Sequence, residues 1–176
     1  MKKGDFIAHK RKSDGERQLL HTHLHEVGEI ASHFARKIGV ENAGKLLGLL
    51  HDFGKYSQEF QVYIKSATGE INPDEDDYVD AKGLKGKVDH STAGAQLVWQ
   101  RLSRFGEGGQ GELCGQILAL CIASHHSGLI DCFGMDDKPV FANRMSKADD
   151  KVHLDECQKA ADKALLEKID QLANLE

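Results

Sequence analysis

Apolar residues recur at three- and four-residue intervals along most of the chain, the signature of helices rather than strands. Between Arg17 and Ile38 the positions Leu20, Leu24, Val27, Ala31, Phe34 and Ile38 share one face, and Gly39 supplies a stop. The spacing predicts a first helix over 17–38 with that stripe toward the core. A second helix is expected over about 42–53. A third opens at Ser57, a suitable N-cap with Glu59 near the positive helix end, and carries Phe60, Tyr63 and Ile64. Ser91 is the expected cap of a fourth, through Ala93, Leu97, Val98 and Leu102. A fifth, from Leu113 to about His126, is apolar almost all round, which predicts a central position. A final amphipathic helix is expected from Leu154 to Leu175, with Cys157, Ala161, Leu165, Ile169 and Leu172 as its stripe.

The intervening stretches read as loops. Met1 to Glu16 is polar and basic, with Ser13-Asp14-Gly15 as turn material, and reads as a solvated N-terminus. Residues 67–87, with the acidic run Asp74-Glu75-Asp76-Asp77, and residues 127–150 read as long loops, and 106–111 as a flexible glycine-rich link. The acidic run lacks the alternating ligands of a calcium loop, and no Gly-Lys-Ser/Thr follows the glycines of a phosphate loop. The expected fold class is all-α, in a single domain over 1–176.

Composition changes this picture in two ways. The net charge of −5 excludes a generally basic nucleic-acid coat and leaves only a local basic cluster, Lys2, Lys3, Lys10, Arg11, Lys12 and Arg17. The ten histidines are many for 176 residues and ask for a reason. Cys114, Cys121, Cys132 and Cys157 form no CxxC and read as reduced thiols of a cytoplasmic protein. No apolar run is long enough to span a membrane and no signal peptide is visible.

The chemistry centres on His51-Asp52-Phe53-Gly54-Lys55, where the leucine-rich second helix ends. Gly54 is expected to adopt a left-handed conformation there and stop the helix. A carboxylate half in the core costs several kcal/mol unless a cation or hydrogen bonds offset it. On the first helix His23 falls on the side of Val27, Ile30 and Phe34, at the edge of the buried stripe, whereas His21, His25 and His33 project outward. His90 precedes the fourth helix, and His125-His126 ends the fifth. Any one of these read alone is an ordinary core histidine bonded to a carbonyl. Several at helix ends, together with Asp52, describe a pocket of imidazoles suited to a transition metal rather than calcium.

The pieces His23-Leu24-x-x-Val27 with Ala31, His51-Asp52-x-Gly54-Lys55, Asp89-His90-Ser91-x-x-Gly94-Ala95 and His125-His126-Ser127-Gly128-Leu129 resemble the HD metallohydrolase superfamily. More narrowly, they are similar to the HD nuclease domain of the CRISPR-associated helicase-nuclease of type I interference systems, over about residues 17–130. The resemblance implies an HD-domain helical bundle with a central metal site. Asp52 would bridge two divalent ions (Mn, Co, Ni or Fe before Ca, with Mg admissible). His23 and His51 would help hold one, and His90, His125 and His126 the other. Lys55 would contact the scissile phosphate or stabilise developing charge. The implied substrate is single-stranded DNA, cut by a metal-activated water. The implied partners are a helicase domain or subunit and an RNA-guided surveillance complex, with the helicase either in a C-terminal region of a longer helicase-nuclease, of which this chain is the N-terminal part, or on a separate chain.

There is one departure from that pattern. The family carries a further metal-ligating Asp in a late helix, whereas Asp149-Asp150 lies on a loop-like segment here. Two alternatives stand beside the nuclease: an HD phosphohydrolase of nucleotides, and a metal-binding or docking module without turnover.

Overall fold

The computed structural model describes residues 6–11, 13–84, 88–106, 109–126 and 128–174. Lys2, Lys3, Lys12, Ser127 and Leu175, named above, lie outside these residues. The fold is an all-α bundle with one small hairpin at its edge. In chain order the elements are β1 (Ile7–Lys10), β2 (Arg17–Leu19), α1 (Leu20–Ala35), α2 (Glu41–Leu50), α3 (Gln58–Ala67), α4 (Ala81–Leu84), α5 (Thr92–Leu102), α6 (Gln110–Ser124), α7 (Val140–Met145), α8 (Asp149–Val152), α9 (Leu154–Ala160) and α10 (Lys163–Ala173).

The hairpin corrects the reading of the N-terminal stretch as solvated. β1 and β2 pair antiparallel, and Phe6, Ile7 and Ala8 are buried. The expected first helix therefore begins at Leu20, because Arg17–Leu19 belong to the sheet. Lys10 and Arg17 are both paired with Glu70, at 3.1 and 2.8 Å, and Arg11 is paired with Asp14, so the described part of the basic cluster is neutralised.

The buried face of α1 also differs from the expected stripe. Leu20, Leu24 and Gly28 are buried, whereas Ile30, Phe34 and Ile38 are exposed. The reason is a close crossing with α2. A Cβ on Gly48 would stand 2.5 Å from the Gly28 Cα, and one on Gly44 would stand 2.5 Å from the Ala35 Cβ. The seam is thus built from small residues that let the backbones approach, and the large side chains are turned aside.

Four further expectations are corrected. Helix α6 packs against α5 through Gly111, Gly115 and Leu118, but Leu113, Ile117 and Cys121 stay exposed, so it is flanked on one side rather than enclosed. The stretch 127–150 contains α7 and the start of α8, and the stretch 67–87 contains α4. The last helix is broken at Ala161-Asp162 into α9 and α10, where Ala161 is extended and Asp162 stands at the N-cap position of the second piece without a side-chain cap bond. Its stripe survives the break: Cys157, Ala161, Leu165, Ile169 and Leu172 are all buried. At α5 the cap is Asp89 rather than Ser91. The Asp89 carboxylate accepts the Thr92 N–H at 3.1 Å, while the Ser91 side chain caps nothing. Ser57 does cap α3, accepting the Phe60 N–H at 3.2 Å. No described helix is long and apolar enough to cross a membrane.

Candidate metal centre

Three helix ends and one turn meet at Asp52. Helix α2 ends at Leu50; His51 caps it, and residues 53–56 continue as a short 3-10 turn. Gly54 is not left-handed, which corrects the expectation drawn from its identity; it is absent from the described glycines with positive φ. Its requirement is proximity. The Gly54 N–H donates to the His90 carbonyl at 3.0 Å, and a Cβ would lie 2.4 Å from that oxygen. The glycine thus lets the turn carrying His90 lie directly on the turn carrying Asp52.

Asp52 is 2 % exposed, and its two oxygens face different groups. Oδ2 lies 3.0 Å from His23 Nε2, 3.1 Å from His51 Nε2 and 2.8 Å from Lys55 Nζ. Oδ1 lies 3.5 Å from both His90 Nε2 and His125 Nε2, and among the described residues it has no hydrogen-bond partner. His126 joins this side through His90, their Nε2 atoms 2.6 Å apart. All six residues expected from the sequence to hold metal are thus brought together. His21, His25 and His33 lie on the exposed side of α1. Asp149 is not with them; its Oδ1 accepts the backbone N–H of Asp155 at 2.9 Å.

The ring orientations decide what the pocket wants. His51 Nδ1 lies 2.8 Å from the Gly48 carbonyl, His90 Nδ1 3.1 Å from that of Val88, and His125 Nδ1 2.7 Å from that of Ile122. A carbonyl only accepts, so each Nδ1 carries the proton and donates. In a neutral ring the Nε2 is then a bare lone pair. Three such lone pairs surround one carboxylate, an arrangement that is repulsive until a cation stands among them. Bonding the far nitrogen to a carbonyl is also how metal-ligating imidazoles are oriented. The orphaned Oδ1 and this donor set fit a divalent metal.

The protonation states agree. Burial lowers His90 to about 4, so it is neutral at physiological pH. Burial and the Lys55 charge lower His9 to about 4 as well, and burial with the neighbouring His125 lowers His126. For Asp52 burial pushes upward, but the Lys55 ammonium at 2.8 Å, with any neighbouring imidazole whose Nε2 carries a proton, outweighs it and holds the carboxyl below the usual range.

Lys55 is itself 3 % exposed. Its ammonium donates to Asp52 and to the Ala8 carbonyl at 3.2 Å, and lies 5.3 Å from the centre of the Phe60 ring. Two residues escaped the sequence reading. His9, on β1, has a ring nitrogen within 4.8 Å of ligand atoms of both His23 and Asp52. Arg144, on α7, donates to Ser91 Oγ at 2.7 Å, Thr92 Oγ1 at 2.8 Å and the Ala123 carbonyl at 2.8 Å, and pairs with Asp89 at 3.4 Å. It ties the His90 turn to the end of α6 just before His125. Asp89 also accepts from Thr92 and Lys147; burial pushes its carboxyl upward, and these contacts with Arg144 outweigh that and bring it to about 2.

The centre is open at one rim, where His9, His125 and His126 are exposed, and closed beneath by the core. Beside it an apolar cleft of about 290 Å³, walled by Val27, Ala31, Leu47 and Ile122, reaches His51 and His125. The family whose description reads Cas3, HD domain matches the chain over residues 8–175. No curated protein matches it.

Proposed function

The chain belongs to the Cas3 HD-domain family, which implies a metal-dependent nuclease of CRISPR defence, and from that premise we propose that it hydrolyses single-stranded DNA with two divalent ions bridged by Asp52. The observation that carries the reading is the division of one buried carboxylate between two sets of imidazoles, one at each oxygen. His23 and His51, beside Oδ2, would hold one ion, and His90, His125 and His126, on the Oδ1 side, would hold the other. A pair of divalent ions, when bound, would supply charge neutralisation at phosphorus and lower the pKa of a water so that hydroxide is available to attack at neutral pH. Imidazole donors favour manganese, cobalt, nickel or iron over calcium, with magnesium admissible.

The protein's own groups do the rest. Asp52 is fixed in orientation by Lys55, whose buried ammonium also adds positive charge beneath the phosphate and stabilises charge developing there. The exposed rim admits a polymer, which a closed pocket for a mononucleotide would not. The apolar cleft beside His51 and His125 offers a nucleobase a seat next to the phosphate position. In this reading residues 1–176 act as one nuclease domain. Strand separation comes from a helicase domain or subunit, and delivery of the strand from an RNA-guided surveillance complex.

The test is cleavage of circular and linear single-stranded DNA by metal-stripped protein, titrated separately with manganese, cobalt, nickel and magnesium. Metal per chain is counted in the same samples. Cutting of the circle, lost in Asp52→Ala, is the expected result. Hydrolysis of nucleotides with DNA left intact would replace the reading by a phosphohydrolase, and bound metal with neither substrate consumed would replace it by a binding module.

A further inference from the structure

Every histidine of the centre except one lies in a helix or in a turn beside a helix end. His9 sits on the short strand β1, where a histidine on an exposed hairpin would ordinarily be solvated and free to turn. Here the backbone just before it is fixed by buried polar groups. The Gln61 side chain, fully buried, accepts the Ile7 N–H at 3.0 Å and donates to the Ile7 carbonyl at 3.0 Å and to the Lys55 carbonyl at 2.8 Å. The Lys55 ammonium donates to the Ala8 carbonyl. Phe6 packs edge-on against Tyr56 with ring centres 5.1 Å apart. The strand is therefore clamped to the Asp52–Lys55 turn itself.

The sheet register then aims the side chain. Ile7 pairs with Leu19 and His9 with Gln18, so two steps on β1 oppose one on β2. This bulge lets Ile7 and Ala8 both be buried, which a regular strand of alternating faces would forbid. It leaves His9 directed at the centre. Its ring meets His23 edge-on with centres 4.8 Å apart, and one of its nitrogens lies within 4.8 Å of ligand atoms of both His23 and Asp52. Bulges commonly serve to re-aim a side chain beside a site.

We propose that His9 is a metal ligand, completing the set at the Oδ2 side of Asp52 and making the N-terminal hairpin part of the centre. With it that side has three imidazoles, His9, His23 and His51, matching His90, His125 and His126 at Oδ1. The proposal rests on the reading that Asp52 holds an ion at each oxygen. It also gives the β-hairpin a purpose: it brings to an all-helical site a donor that no helix end reaches.

Metal-stripped wild type, His9→Ala, His9→Gln and His9→Asp are titrated with cobalt(II), followed by its visible absorption, and the ions retained after desalting are counted. No cleavage is measured, and helicity and thermal midpoint confirm that each variant is folded. Wild type is expected to take up two ions. His9→Ala and His9→Gln should keep one and bind the second at least about tenfold more weakly, the lower end of what even outer-shell partners of a metal contribute. His9→Asp, which restores an oxygen ligand, should recover the second ion. His9→Gln keeps a polar side chain of similar reach, so it separates loss of a ligand from loss of the hairpin. Two ions bound at wild-type affinity in both His9→Ala and His9→Gln would overturn the proposal and leave the metal reading intact. No ion bound by wild type would remove the metal reading, and this proposal with it.

Discussion

The two oxygens of Asp52 look out on unlike surroundings. At Oδ2 stand His23 and His51, with His9 behind them, and the Lys55 ammonium is already in place at 2.8 Å. At Oδ1 stand His90 and His125, with His126 behind them and, among the described residues, no fixed cation and no hydrogen-bond partner. The Oδ2 side is carried by the packed seam of α1 on α2 and by the hairpin. The Oδ1 side is carried by a turn and a helix end that Arg144 ties together. A built-in ammonium satisfies part of what Oδ2 lacks and repels a second cation, whereas Oδ1 depends wholly on the ion. The comparison teaches that a nearly symmetric ligand set need not give equal sites: the Oδ1 side should fill first and more tightly.

The strongest way to break this comparison is to remove what the two sides share. Asp52→Ala should reduce metal per chain to none and cleavage to background, while far-UV circular dichroism stays helical. One ion retained at full affinity would show that the halves do not depend on a common carboxylate. Next in size is Lys55→Met, which keeps the apolar stem and removes the charge. Loss of one preorganised charge contact commonly costs about 10²–10³ in rate. The rate is expected to fall by that order while metal content is unchanged and the Oδ2 ion binds more tightly. Parallel loss of rate and metal would show that the ammonium only holds the carboxylate in shape.

Removal of metal tests the lone-pair argument directly. An ion present at about a hundred times its dissociation constant adds about 2.7 kcal/mol to stability. For a chain of this size that corresponds to about 5–10 °C in thermal midpoint. Manganese should therefore raise the midpoint of chelator-stripped protein by that much, and should raise that of Asp52→Ala by almost nothing. An unchanged wild-type midpoint would mean that the facing imidazoles are satisfied without a cation.

A pair of glycines separates the halves mechanically. Gly48→Ala would wedge α1 off α2, with its Cβ 2.5 Å from Gly28 Cα, and so displace His23 from His51. Gly54→Ala would push back the His90 carbonyl. Each should cost about 1–3 kcal/mol, as overpacking does. In metal titrations the first should weaken chiefly the later-filling ion and the second chiefly the earlier one. The reverse pattern would contradict the assignment of histidines to sides.

Much of this was legible in the sequence, for reasons that can be named. Helix periodicity locates α2, α3, α5 and α6, and the four motif pieces contain all six ligand candidates expected from the sequence. Large apolar residues misplace the face of α1, because Gly28, Gly44 and Gly48 carry the seam through close approach rather than through area. The hairpin escaped because Phe6-Ile7-Ala8 does not alternate; the bulge buries consecutive residues. An apolar triplet ahead of the Ser13-Asp14-Gly15 turn and Gln18-Leu19 is the signal that would have found it, and His9 with it. The identity of Gly54 predicts a left-handed stop, whereas what requires the glycine is the His90 carbonyl, a neighbour distant in sequence. Arg144 carried no signal at all: a lone arginine between loop-like residues gives no hint of contacts more than fifty positions away.

Arg144 also gives the finest test of the difference between the halves. Its guanidinium makes separate bonds to Ser91, Thr92 and the Ala123 carbonyl, and pairs with Asp89, so it fixes the distance between the His90 turn and the helix end that presents His125 and His126. None of these partners stands at the Oδ2 side. Arg144→Ala should therefore weaken the earlier-filling ion by about tenfold, the range seen for groups that orient metal ligands, and leave the later one alone. Arg144→Lys should recover little, because one ammonium cannot reproduce a planar fork directed at several acceptors. The affinities of the two ions, read in one titration of each variant, check both statements. Equal weakening of both ions would mean that α7 supports the centre as a whole, and that Oδ1 and Oδ2 are held by one framework rather than two.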